Sequence, residues 1–177
     1  MAENTTLLII DVQKAMFIMK DTPLHLELEL LQTIKNILLK ARNSKIPVIF
    51  IQHNGQVGSG FEKGKESWEI HEDLKPKIDE IKIEKTKPDS FYNTKLLDVL
   101  RKHKTENLVI TGLQTEFCVD TTCRSASMLD YKVTLIEDGH STFDTETLKA
   151  SQIIKHHNYV LGSWFAELKK GSDYNFN

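Results

Sequence analysis

The stretch Leu108-Val-Ile-Thr-Gly-Leu-Gln-Thr-Glu-Phe-Cys118-Val-Asp-Thr-Thr-Cys-Arg124 decides how this chain is to be read. It carries an apolar strand, Leu108 to Thr111, into a sharp turn and sets a cysteine where a helix is expected to begin. The first turn of a helix offers unpaired N–H groups and the positive end of the dipole. A thiol placed there is expected to have its pKa pulled down and to serve as a nucleophile. The competing reading of Cys118 is a small buried apolar residue, the usual fate of a free cysteine.

Outward from that segment the chain alternates β-rich runs with helical patterns, the mark of parallel βαβ units. Thr6 to Asp11 reads as a first strand, His25 to Ser44 as a helix and Pro47 to Gln52 as a second strand. Within the helix Leu24, Leu28, Leu31, Ile34, Leu38 and Ala41 recur at three and four residues, a stripe expected to pack on the sheet. The segment His53 to Glu69 carries Gly55, Gly58, Gly60 and Gly64 and reads as a pocket wall or lid. A third strand is expected near Ile81 to Glu84 and a helix from Thr94 to His103. Beyond the cysteine segment, Lys132 to Asp138 reads as a fifth strand. A helix whose first turn is Thr145-Glu-Thr-Leu148 then runs toward His157, Tyr159-Val-Leu161 reads as a sixth strand, and a last helix after Ser163 carries Phe165 and Leu168. No repeat or linker interrupts the pattern, so residues 1–177 are expected to form one doubly wound α/β domain.

Composition narrows the function. A formal charge of -2 with interspersed signs provides no footprint for nucleic acid and no basic membrane patch, so a small-molecule substrate is the expected partner. The opening Met1-Ala-Glu-Asn-Thr-Thr lacks the basic start and long apolar run of a signal peptide, and no later run is long enough to span a bilayer. Cys118 and Cys123 lie five apart on one expected helix, where they point to different faces and cannot pair. A cytoplasmic protein with reduced thiols is expected.

In a doubly wound sheet the strands end on one edge, and ligands sit in the crevice there. Asp11, His53, Lys85 and Cys118 each fall at or just past the end of a different strand. Asp11 could take the thiol proton and Lys85 could hold the two negative charges together. A carboxylate ending a central strand must be paired or solvated in a cleft, because an isolated buried charge is too costly. Lys85 on position alone is one of several lysines, flanked by Lys82 and Lys87. The spacing of Cys118 and Arg124 also matches a cysteine-phosphatase loop. The five residues between them hold no glycine for close approach, and Asp120 would oppose a phosphate.

With Asp11-Val-Gln13, Lys85 followed by Phe91 and Thr94, and Gly112-Leu-Gln-Thr-Glu-Phe-Cys118-Val in view, the chain resembles the isochorismatase-like cysteine hydrolases from about Thr6 to Ala166. That superfamily includes nicotinamidase, N-carbamoylsarcosine amidohydrolase, ureidoacrylate amidohydrolase and streptothricin hydrolase. The resemblance implies a three-layer α-β-α fold around a six-stranded parallel sheet, with Asp11, Lys85 and Cys118 as the triad. It implies a cis peptide at Leu113-Gln114 and an oxyanion hole from the backbone N–H groups of Gln114 and Cys118, and a homodimer or larger assembly. Nicotinamidases hold a metal through Asp-x-His and a further histidine. Here Gln52-His53-Asn54-Gly55 stands instead, so neither a metal nor another cofactor is expected.

The expected reaction is cleavage of a small amide, imide or ureido C–N bond through an acyl-enzyme. The alternatives are vinyl-ether hydrolysis of the isochorismatase type and a non-catalytic ligand-binding or scaffold role. His53, Asn54, Gln56, Trp68 and Phe91 are the expected substrate contacts, although Trp68 and Phe91 could equally plug the core. His156 and His157 read as the end of a helix and His140 as part of a turn after Asp138.

Overall fold

A strand with no exposed residue needs cover on both faces. The first strand of this computed structural model, β1 (Thr5–Ile10), is buried along its whole length. It stands inside a sheet completed by β2 (Val48–His53), β3 (Ile81–Lys85), β4 (Asn107–Leu113), β5 (Lys132–Ser141) and β6 (Glu167–Lys169). The order is β3-β2-β1-β4-β5-β6, and every pairing is parallel. The structure describes residues 4–18 and 22–176. Met1 to Glu3, on which the reading of the chain start partly rests, lie outside them.

Period-2 alternation along β1 builds two cores. Leu7 and Ile9 pack with Val48 and Phe50 against Leu30, Ile34 and Ile37 of α1 (Glu27–Asn43). Leu8 and Ile10 face the other way, toward Leu96 and Leu100 of α2 (Leu96–Lys102), Cys123 and Ala126 of α3 (Asp120–Met128) and Leu161 of α4 (Ala150–Trp164). The expected three-layer α-β-α arrangement is therefore present. Truncating a fully buried member such as Ile34 to alanine costs about 2–5 kcal/mol. Among the described residues no helix is long and apolar enough to cross a membrane.

Three local expectations need correction. Leu28 does not belong to the buried stripe of α1. The helix starts at Glu27, its inward face is Leu30, Leu31, Ile34, Ile37, Leu38 and Ala41, and Leu28 is 76% exposed. Thr145-Glu-Thr-Leu148 is a closed turn rather than a first helical turn, because the Thr145 hydroxyl accepts from the N–H groups of Thr147 and Leu148. The helix begins later, with Asp144 accepting the Ala150 N–H.

The strand expected at Tyr159-Val-Leu161 and the helix expected after Ser163 are exchanged: Tyr159-Val-Leu161 continues α4 to Trp164, Phe165 caps it, and Leu168 lies in the sixth strand, Glu167–Lys169. Tertiary packing overrides the β-rich composition of Tyr159-Val-Leu161. Ala150, Ile153 and Leu161 share the buried face, and Gly162 leaves room for Leu168, whose Cδ1 would lie 2.8 Å from an added Cβ.

Candidate active site

The end of β1 is where the backbone departs most from regular geometry. Asp11 follows Ile10 with φ +50°, its N–H bonded to the Ile51 carbonyl on β2. On the other side Gly112 of β4 pairs with Ile10 at φ +128°, and a Cβ there would lie 2.1 Å from the Ile10 oxygen. Only glycine permits that approach. The next peptide, Leu113-Gln114, is cis. A five-residue π-helical turn, Thr115–Val119, then presents Cys118 before α3 begins.

Lys85 ends β3 opposite His53 on β2, and its side chain reaches past β2 to the end of β1. Its ammonium lies 2.7 Å from Asp11 Oδ2 and donates to Cys118 Sγ at 3.1 Å and to the Lys87 carbonyl at 3.1 Å. The three residues named from the sequence as a triad are thus together, with the Asp11 and Lys85 side chains sealed from solvent.

Burial pushes the Asp11 carboxyl above the usual carboxylate range, with Lys85 pulling the other way, and Oδ1 has no hydrogen-bond partner among the described residues. Burial also works against the Lys85 charge, but Asp11 and Cys118 outweigh it and hold its pKa above that of a free lysine.

The electrostatic expectation for Cys118 is overturned. Burial, and then the Asp11 charge, push its thiol up to about 12, against the pull of Lys85. The helical stretch starts at Thr115 with the π-helical turn and runs straight on into α3, so Cys118 lies inside its first turns, and the helix start is outweighed by burial and the Asp11 charge. Burial and the Asp11 charge therefore favour the neutral thiol, and the Lys85 charge opposes them. Cys123 is fully buried, and burial raises its thiol as well.

The expected substrate contacts divide. His53 flanks Lys85, and burial, followed by the Lys85 charge, lowers its imidazole. Its ring meets Phe61 edge-on at 5.8 Å, and its Nδ1 is buried without a partner among the described residues. Asn54 and Trp68 hold each other instead of facing open space. Trp68 Nε1 donates to Asn54 Oδ1 at 2.8 Å, and Asn54 Nδ2 donates to Glu84 at 2.8 Å. Gln56 is exposed and bonds only within its own loop, through its carbonyl to Ser59. Phe91 stacks on Tyr131, the residue before β5, at 6.2 Å. Phe91, Tyr131 and Cys118 all pack, partly buried, against the core on the α2, α3 and α4 side of the sheet.

Gln13, quoted in the sequence only as part of a motif, turns out to position the loop. It is fully buried, its Oε1 accepts the His53 N–H at 2.8 Å, and its Nε2 donates to the carbonyls of His53 and Trp68 at 3.1 and 2.7 Å. A polar residue two positions beyond Asp11 was the one available signal. Among the described residues no three His, Cys, Asp or Glu side chains gather in a way that could hold a metal ion. A concavity of about 510 Å³ between α1, β5 and α4 is lined by His25, Leu30, Glu137, His140 and Asn158, and no triad residue borders it.

Against known proteins, residues 5–158 match the Isochorismatase domain family. An uncharacterized isochorismatase family protein of Bacillus subtilis (strain 168), YddQ, is 34% identical over 141 residues, covering 78% of each chain. Ureidoacrylate amidohydrolase RutB of Caulobacter vibrioides is 37% identical over 81 residues, 46% of this chain and 36% of that one. The crystal structure of an isochorismatase family protein superposes with a TM-score of 0.90 at 33% identity, covering 96% of this chain and all of that one.

Proposed function

This chain belongs to the isochorismatase domain family of hydrolases, and from that premise we propose that it cleaves the C–N bond of a small, non-peptide amide, imide or ureido compound through an acyl-enzyme on Cys118. The observation that carries the reading is the Lys85 ammonium held between Asp11 Oδ2 at 2.7 Å and Cys118 Sγ at 3.1 Å. A vinyl ether offers no carbonyl carbon to attack and needs no thiol, so a complete triad supports acyl transfer.

In the first step Sγ bonds to the substrate carbonyl carbon while the thiol proton passes to Asp11. The raised carboxyl pKa makes Asp11 a stronger base than a free aspartate. Burial works against a free thiolate, so in this reading proton transfer accompanies attack. Lys85 keeps its charge beside the sulfur as negative charge moves off Asp11. The oxyanion is received by the backbone N–H groups of Gln114 and Cys118, and losing one such donor costs on the order of a hundredfold or more in rate. Collapse breaks the C–N bond, Asp11 returns its proton to the leaving nitrogen, and a thioester remains. Water then attacks the thioester carbon and gives a proton to Asp11. The C–S bond breaks and that proton returns to sulfur, leaving a carboxylic or carbamic acid.

We assign substrate recognition to His53, because it neighbours Lys85 across the β2–β3 pairing and its Nδ1 has no hydrogen-bond partner among the described residues. Asn54, Trp68 and Gln13 support the loop that carries it. In this reading the enzyme uses no cofactor and works in the cytoplasm as a homodimer or larger homo-oligomer on a small-molecule substrate. Exposed Phe117, Tyr159 and Trp164 supply apolar surface for self-association.

The test is intact-protein mass spectrometry after mixing with a panel of small amides, imides and ureides. A substrate leaves a transient acyl adduct on Cys118 and releases ammonia or an amine, or, from an imide, an amide that stays on the adduct if the imide is cyclic. Hydrolysis that persists in Cys118→Ala would sink the proposal.

A further inference from the structure

The turn carrying Cys118 is tied to the end of β5 and to the residue just after it. Pairing of β4 with β5 runs Ile110 to Leu135 and resumes at Gly112 with His140, so β5 carries an irregular insertion of three residues opposite Thr111. Such bulges re-aim side chains, often beside active sites. Gly139 sits in this one with no room for a Cβ, which would lie 2.8 Å from Ile136 Cγ2. The result is that His140, expected in a turn after Asp138, lies buried at the end of β5.

His140 links two elements. Its Nδ1 lies 2.8 Å from Thr115 Oγ1, the first residue of the π-helical turn, and its Nε2 lies 2.8 Å from Asn158 Oδ1 on α4. Asn158 Nδ2 donates to the Glu137 carbonyl, which leaves Oδ1 as the acceptor facing the imidazole. The proton therefore sits on Nε2, and the bare Nδ1 accepts the Thr115 hydroxyl. Burial lowers the His140 pKa to about 4, in keeping with a neutral ring. One residue on, Glu116 accepts the Thr142 hydroxyl at 2.7 Å, giving the turn a second tie to the same strand end.

We propose that His140 is a positioning residue: through Thr115 it fixes the turn that aims Cys118 at Lys85 and lines up the backbone N–H groups of Gln114 and Cys118. The inference rests on the assignment of Cys118 as nucleophile. It needs no substrate to be tested, because alkylation of Cys118 by iodoacetamide reports the geometry of the turn directly.

In the full-length protein, Thr115→Val removes the donor at nearly constant shape, and His140→Leu removes the acceptor. Each is expected to slow Cys118 alkylation by about tenfold, because a thiol turned away from the Lys85 ammonium loses about one pKa unit of thiolate stabilisation. The double variant is expected to be no slower than either alone. Thr115→Ser restores the hydroxyl and should recover the wild-type rate, as should His140→Asn, whose Oδ1 can stand in for Nδ1. Melting temperatures of Thr115→Val and Thr115→Ser serve as the folding control, and Thr115→Val decides the matter if His140→Leu fails to fold. Once a substrate is in hand, kcat should fall in Thr115→Val with KM unchanged. Wild-type alkylation in Thr115→Val, or failure of Thr115→Ser to recover it, would overturn the proposal while leaving the hydrolytic chemistry standing.

Discussion

Two carboxylates flank the nucleophile turn, Asp11 across the sheet and Asp120 at the start of α3, and both are paired with a cation. Asp120 is served from two sides. Arg124 donates to its two oxygens at 2.7 and 3.0 Å, and His157 of α4 lies 2.9 Å from Oδ1. Burial works against its charge, but the His157 and Arg124 hydrogen bonds prevail and hold the carboxyl below its ordinary range. Asp11 is more deeply buried and has Lys85 alone, shared with a thiol, so its carboxyl is held above the ordinary range. The same residue type forms a structural clasp where its burial is compensated and, in the mechanism proposed above, serves as a base where it is not.

The comparison can be broken most directly at Asp11. Asp11→Asn and Lys85→Ala should each fold yet lose turnover by on the order of a thousandfold or more, and neither should add to Cys118→Ala, as expected of groups acting as a unit. Steady-state rates on any substrate found will show this, and near-wild-type activity in Asp11→Asn would remove Asp11 as the base.

The pH dependence is the next largest effect. Turnover needs ionised Asp11, so its acid limb should fall away above the range of an ordinary aspartate. The Cys118 thiol, near 12, should show an alkylation rate still climbing at pH 9. A plateau near neutrality would mean a preformed thiolate. Asp120 behaves oppositely: a depressed folded pKa adds stability that is present above the unfolded value and lost only as pH falls through the lower folded one.

Asp120→Ala should cost about 1.5–3 kcal/mol in denaturant unfolding, because the Arg124 guanidinium and the His157 imidazole both lose their acceptor. Cys118 should still alkylate in that variant, whereas a total loss would show that the clasp takes part in the chemistry. Cys123, fully buried in the helical layer, should stay unlabelled while Cys118 reacts, as peptide mapping after brief iodoacetamide treatment will show. The smallest expected effect is none: dialysis against a chelator should leave turnover unchanged, and parallel loss of metal and activity would contradict that.

Much of the fold was legible because its central strands are apolar throughout. Leu7 to Ile10 and Val48 to Ile51 are buried on both faces, and such runs announce themselves. The meeting of Asp11, Lys85 and Cys118 was legible because parallel strands end on one edge. Illegible features were set by contacts distant in sequence. The Tyr159 segment reads as strand locally and is helix because of Leu161 and Leu168. His140 vanished into an expected turn because periodicity carries no sign of a bulge. The acidity of Cys118 was misjudged because a helix start is visible in a sequence, whereas burial beside a carboxylate 107 positions away is not.

Lys85 is carried by β3, which is the outermost strand on its side of the sheet and pairs with β2 alone. Of its five residues only Ile83 and Lys85 are buried. Edge strands with little covered surface open by local fluctuation well before the whole molecule does. Each such excursion would carry the ammonium out of the site and leave a folded but silent enzyme. Inactivation by mild heat or denaturant should therefore run ahead of unfolding, with amides of β3 exchanging hydrogen sooner than those of β1.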